Sequence, residues 1–114
     1  MKYMLLIYAP PEARPATPEE MAERMPMWNA YTDELKQRKA YIDGKPLADT
    51  SSATTVRAHN GKRTITDGPF AETKEFLGGF YMIETPTLDE AIELAGKCPA
   101  AKYGSIEVRP IVEM

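Results

Sequence analysis

A Thr-x-x-Glu box opens a helix pattern twice in this chain, at Thr17-Pro18-Glu19-Glu20 and at Thr87-Leu88-Asp89-Glu90, and each follows a run that reads as a strand. In such a box the threonine hydroxyl accepts from the third amide while the glutamate reaches back, so orphan donors are satisfied together. Pro18 takes the first helical position, where its missing N–H removes nothing. Before the first box, residues 2 to 8 are nearly all apolar, which predicts a central strand covered on both faces. Before the second, Phe80 to Glu84 is rich in aromatic and apolar residues. After it, Ser105-Ile106-Glu107-Val108-Arg109 alternates as a last strand, and Pro110 suits an edge. The order is strand, helix, a strand or hairpin region, strand, helix, strand. That order specifies an α+β fold, the ferredoxin-like βαββαβ plan, with an antiparallel sheet and helices on one face. The sheet's other face then needs a partner, which face-to-face pairing in a symmetric homodimer supplies.

The helices and turns can be read more finely. Met21, Met25, Trp28, Thr32 and Leu35 recur at four- and three-residue steps and predict one core-facing side, while Pro26 predicts a kink or two abutting segments. Leu88, Ala91, Ile92, Ala95 and Cys98 form the matching face of the second helix, which Pro99 stops. The prolines at 10, 11 and 15 predict an exposed connection. Tyr41-Ile42 begins a short extended piece that Asp43-Gly44 turns. Asn60-Gly61 between alternating runs is a strong hairpin signal. Counting back from that turn pairs His59 with Lys62, Arg57 with Thr64, Val56 with Ile65 and Thr54 with Asp67. One hairpin face thus carries Val56, Ala58 and Ile65 together with Asp67.

Length and composition limit the function classes. The 114 residues fit one domain, spanning 1–114, with a single core. A net charge of −3 with no basic stripe argues against nucleic acid as a partner. No apolar run is long enough to span a membrane. The opening run is too short, and too abruptly ended by Pro10-Pro11, for a signal peptide, so a cytoplasmic location is expected. One cysteine and one histidine exclude a disulfide and a His/Cys zinc site, and the chain is read as holding no metal and no cofactor. His59, beside the hairpin tip on the polar face with Arg57, lacks a second group to orient it as a general base.

The polar stretch from Asp67 to Gly79 is the candidate site. It reads as a loop between two strands of the sheet, longer than a hairpin needs, and it carries Asp67, Glu72, Lys74 and Glu75. Asp67 at the end of an apolar face is either a carboxylate whose burial would raise its pKa or a turn aspartate capped by following amides. Glu72, Lys74 and Glu75 are either functional or a solvated loop with weak pairing. If functional, Asp67 and Glu72 share acid/base work, with Lys74 holding one ionised or steadying an anion. Trp28, Phe70 and Tyr81, with Arg57, are the expected ligand-binding residues. Trp28 is also readable as a core anchor.

The string Asp67-Gly68-Pro69-Phe70-Ala71-Glu72-Thr73-Lys74-Glu75, followed by Leu77-Gly78-Gly79-Phe80-Tyr81, resembles the signature of the DGPF branch of the YCII-related family. Similarity extends to Trp28–Leu35, Ala53–Arg57, Asp89–Ala91 and Ile106–Pro110. The resemblance implies a dimeric α+β barrel of ferredoxin-like subunits. It also implies that simpler relatives use a first-helix histidine paired with an aspartate, and Trp28 stands where that histidine would fall. Genes of this branch commonly neighbour those of extracytoplasmic-function sigma factors, which implies a sigma factor as a possible partner. Two functions are therefore carried forward. One is a protein that binds or transforms a small molecule in a pocket beside the Asp67–Phe70 loop by carboxylate acid/base chemistry. The other is a protein-interaction module linked to transcription regulation.

Overall fold

The computed structural model describes residues 1–114. Six strands and two helices follow one another as β1 (Lys2–Ala9), α1 (Pro18–Gln37), β2 (Tyr41–Pro46), β3 (Thr54–His59), β4 (Lys62–Asp67), β5 (Phe76–Glu84), α2 (Leu88–Gly96) and β6 (Ser105–Pro110). Four of them form an antiparallel sheet in the order β2-β5-β1-β6, and β3-β4 is a separate two-stranded sheet. Without the β3-β4 ribbon the remaining order is that of a ferredoxin-like fold, as the two capping boxes imply.

Both boxes form. Thr17 Oγ accepts from the Glu20 amide at 3.1 Å while Glu20 accepts from the Ala16 amide at 2.8 Å. Thr87 Oγ accepts from the Glu90 amide at 3.2 Å. β1 and β5 lie at the sheet's centre, with Leu5 opposite Tyr81 and Tyr3 opposite Ile83. These side chains are buried against the helices with Tyr31 and Leu35 of α1 and Ala91, Leu94 and Ala95 of α2. The helices are tied together where the Tyr31 hydroxyl donates to the Leu94 carbonyl at 2.8 Å. Burial first, then the nearby Cys98, Tyr81 and Glu34, pushes the Tyr31 phenol well above its ordinary range.

Several expectations are corrected. β1 is central but covered on one face only: Met4, Leu6 and Tyr8 on the other remain partly exposed. α1 runs unbroken through Pro26, and its first half buries nothing. Met21 and Met25 stay largely exposed, because the proline connection rather than the sheet stands opposite them. α2 is rotated from the expected face: Leu94 replaces Leu88 and Ile92, which are exposed. Asp43-Gly44 is no turn. β2 continues through it past a shift in register, and Gly44 lies opposite Tyr81. A Cβ at Gly44 would come within 2.7 Å of the Tyr81 ring. β5 starts at Phe76, so Leu77-Gly78-Gly79 is strand rather than loop.

The ribbon has the register counted from its turn, with Val56 opposite Ile65 and Thr54 opposite Asp67. Asn60 and Gly61 both take positive φ, 56° and 75°, as a type I′ turn requires. The chain does not leave and re-enter one sheet here. It leaves this ribbon and joins the main sheet.

Candidate functional site

Three prolines, Pro10, Pro11 and Pro15, lie in the connection between β1 and α1. They keep the chain from pairing as it leaves β1, and after a single 3-10 turn at Pro11–Ala13 the connection lines one side of the site. The α1 residues from Met21 to Thr32 form the opposite wall, and the ends of β2 and β5 form the floor. A cavity of about 450 Å³ lies between them, within the size range of small-molecule sites.

Aromatic side chains shape its interior. The rings of Trp28 and Tyr81 are nearly parallel, 11° apart, with centroids separated by 6.4 Å. Tyr31 and Tyr41 meet the Tyr81 ring edge-on at 5.3 and 6.3 Å. The Tyr81 and Thr32 hydroxyls are hydrogen-bonded at 2.7 Å. Burial raises the Tyr81 pKa, partly offset by the Thr32 hydrogen bond, so at neutral pH this phenol exchanges hydrogen bonds and carries no charge. Glycines make room for the ring and the strands: Gly44 leaves space for Tyr81, and a Cβ at Gly79 would sit 3.0 Å from the Lys45 carbonyl. Asp49 is the only carboxylate in the lining, with Arg14 Nε 3.5 Å away. Nowhere in the chain do three or more His, Cys, Asp or Glu side chains gather as metal ligands do.

Of the residues expected at a site, Trp28 and Tyr81 line this cavity. Asp67, Phe70, Glu72, Lys74 and Arg57 do not. The Asp67 carboxylate is exposed and makes no hydrogen bond, so it is neither buried at the end of an apolar face nor capped by following amides. The register was right, but nothing covers the face that carries it. Arg57 and Phe70 do meet, the guanidinium reaching the Phe70 carbonyl at 3.4 Å, while the Phe70 ring is 78% exposed. Glu72 and Lys74 are exposed and form no ion pair. The cavity touches only the downstream end of the stretch, from Phe76 to Tyr81.

Arg14, Arg24, Tyr41 and Asp49 were missed. For Arg24 a signal was present: it falls three residues after Met21 and four before Trp28, a cation set into an apolar stripe. Arg14 lies within the proline-rich connection, where no periodicity assigns it a direction.

The chain is 37% identical to an uncharacterised protein of Rhizobium meliloti (strain 1021), in an alignment covering 97% of this chain and 92% of that protein. The family model of the YCII-related domain matches residues 1–114, and the chain belongs to that family.

Proposed function

We propose that this protein binds a small molecule in the cavity between the Met21 to Thr32 stretch of α1, the proline connection and the ends of β2 and β5. One observation carries the reading: an aromatic-walled hollow of about 450 Å³ exists within a single copy of the chain. Two-carboxylate acid/base chemistry lacks a second member there, since Asp49 is the only acid in the wall. Binding is therefore preferred to turnover, and Asp67, Glu72 and Lys74 are given no part in the cavity's chemistry. Trp28 is the chain's only tryptophan, so its indole N–H gives a single, unambiguous NMR resonance inside the site. A metabolite that raises the thermal midpoint should also shift that resonance, and Trp28→Ala should weaken its binding. Hits that leave the indole signal in place would put the ligand elsewhere.

The uncovered sheet face supports a homodimer. Met4 faces Met82 and Leu6 faces Phe80 across β1 and β5 on the side away from the helices. A lysine at Leu6 should convert a dimer to a monomer in size-exclusion chromatography with light scattering. An unchanged mass for that variant would remove this face from the interface.

A second reading, that of a protein-interaction module, is favoured by the β3-β4 ribbon. Val56 and Ile65 face each other across it and are 57% and 59% exposed, with Phe70 more exposed still. An isolated two-stranded ribbon is marginal in water, so a covering partner would stabilise it. A transcription regulator such as a sigma factor is the partner that the Asp67–Phe70 signature suggests. Co-elution with an extracytoplasmic-function sigma factor, abolished by Val56→Lys with Ile65→Lys, is the expected result; co-elution unaffected by those changes would refute it.

A further inference from the structure

We infer that the ligand of this cavity is an organic anion with a flat apolar body, its anionic group held at the lip by Arg24 and Arg14; this rests on the cavity being a binding site. The inference starts from where Arg24 stands. It occupies the apolar stripe of α1 between Met21 and Trp28, is only partly exposed, and lines the cavity. Yet no carboxylate lies within 4.0 Å of it. Its one hydrogen bond goes to the Ala13 carbonyl, and its guanidinium carbon lies 5.8 Å from the Tyr103 ring centroid. A half-buried cation without a counter-ion loses hydration that one carbonyl and a ring face replace only in part, and most of its fork of donors remains free.

The residue after that carbonyl supplies a second guanidinium at the same lip. Arg14 Nη2 donates to the Leu47 carbonyl at 3.2 Å, and its Nε faces Asp49. These contacts hold the group in place. The third cation of the wall, Lys45, is already matched by Asp43 at 2.7 Å. Two guanidiniums against the single Asp49 carboxylate leave the lip positive, although the whole chain is negative by 3. Guanidinium forks suit carboxylates, sulfonates and phosphates, which accept two parallel N–H bonds. Below the lip, Trp28, Tyr41, Phe76 and Tyr81 offer aromatic surface rather than further charge, which selects a flat apolar body for the remainder of the ligand.

A matched pair of fluorescent probes tests this. Anilinonaphthalene sulfonate and N-phenyl-1-naphthylamine share one aromatic body, and only the first carries an anion. Each is titrated into the full chain, and the Trp28 indole resonance reports whether it enters the cavity. The sulfonate should bind about tenfold or more tightly than the neutral probe, the scale of one charge-assisted hydrogen bond. Arg24→Gln should remove that advantage while leaving the neutral probe's affinity within about twofold. Retained neutral binding shows that the variant's cavity is intact, and Arg14→Gln, at a more exposed position, repeats the test. Equal affinities for the two probes would overturn the inference and leave the cavity reading standing. So would a sulfonate preference that survives both arginine substitutions. If neither probe moves the indole resonance, the cavity reading falls and takes the inference with it.

Discussion

Replacing Gly44 by alanine tests how tightly the cavity floor is fitted. Its φ is not in the left-handed region, so the backbone tolerates a side chain there, and only space opposes one. The new Cβ would sit 2.7 and 2.9 Å from two carbons of the Tyr81 ring and 3.2 Å from the Phe80 carbonyl. Carbon atoms prefer about 3.5–4.0 Å, so the ring must retreat by close to 1 Å. Retreat strains the 2.7 Å bond to Thr32 and the contacts with Trp28, Tyr31 and Tyr41. Overpacking of this kind costs about 1–3 kcal/mol, while the alanine recovers about 0.4–1 kcal/mol by restricting the unfolded chain. A net loss of about 1.3 kcal/mol is expected from the midpoints of these ranges, which together span about 0–2.6 kcal/mol, read as a lower urea midpoint at unchanged slope, with altered Trp28 emission. The cause is isolated in a Tyr81→Ala background, where Gly44→Ala should be neutral or slightly stabilising. An equal loss in both backgrounds would show that the Tyr81 ring is not what Gly44 accommodates.

Thr87→Ala removes the hydroxyl that caps α2 and should cost about 1 kcal/mol, lowering the thermal midpoint by roughly 4 °C; an unmoved midpoint would deny the cap any energetic role. At alkaline pH, burial holds the Cys98 thiol up at about 11 against an ordinary 9.0. Below 9.0 both folded and unfolded thiols are protonated; above it the unfolded chain sheds the proton first, so stability falls until pH passes about 11. That loss is on the order of 2–3 kcal/mol, and Cys98→Ala should flatten its first part, between about pH 9 and 10, in urea titrations. The phenols of Tyr31 and Tyr81, also raised, continue the decline above 10.0 in that variant. In hydrogen exchange, the β3-β4 amides should open well before those of β1 and β5, and Gly61→Ala should lower ribbon protection by about 1 kcal/mol without moving the global midpoint. Ribbon amides as slow as those of β1 would refute that independence.

What the sequence disclosed follows from what is local. Asn60-Gly61 dictates a type I′ turn, and a turn fixes the pairing of every residue up both strands, so the Val56–Ile65 and Thr54–Asp67 pairs were legible. Whether anything covers the Val56 face depends on chain far away, and that is why Asp67 was expected to be enclosed. Leu77-Gly78-Gly79 reads as loop because two glycines carry no strand preference. It is strand because β1 and β2 pair with it on both sides, and Gly79 leaves room for the Lys45 carbonyl. Periodicity likewise found the side of α1 bearing Met21, Met25, Trp28 and Leu35, but it cannot say whether sheet or cavity stands opposite. Tyr81 was legible as a site residue because aromatic bulk next to a glycine pair is a local fact, whereas Trp28 was legible only as an aromatic on the apolar stripe of α1. Arg14 joins them only through the arch of the proline connection.

The division of α1 at Pro26 carries a functional consequence. After it, Tyr31 and Leu35 are buried and hold the helix to the sheet and to α2. Before it, no side chain is buried, and the proline leaves one carbonyl of the preceding turn without its helical donor. The half after Pro26 therefore holds the fold together and also continues the cavity wall through Trp28 and Thr32, whereas the half before it serves the cavity alone. Substitutions at Met21, Arg24 and Met25 should then change probe affinity by far more than they change the unfolding free energy, whereas Leu35→Ala, deleting a fully buried side chain, should cost about 2–5 kcal/mol and weaken binding only through loss of folded protein. If Met21→Ala and Met25→Ala destabilised the fold as strongly as Leu35→Ala, the first half of α1 would be core after all, and the hollow beside it an incidental gap rather than a binding wall.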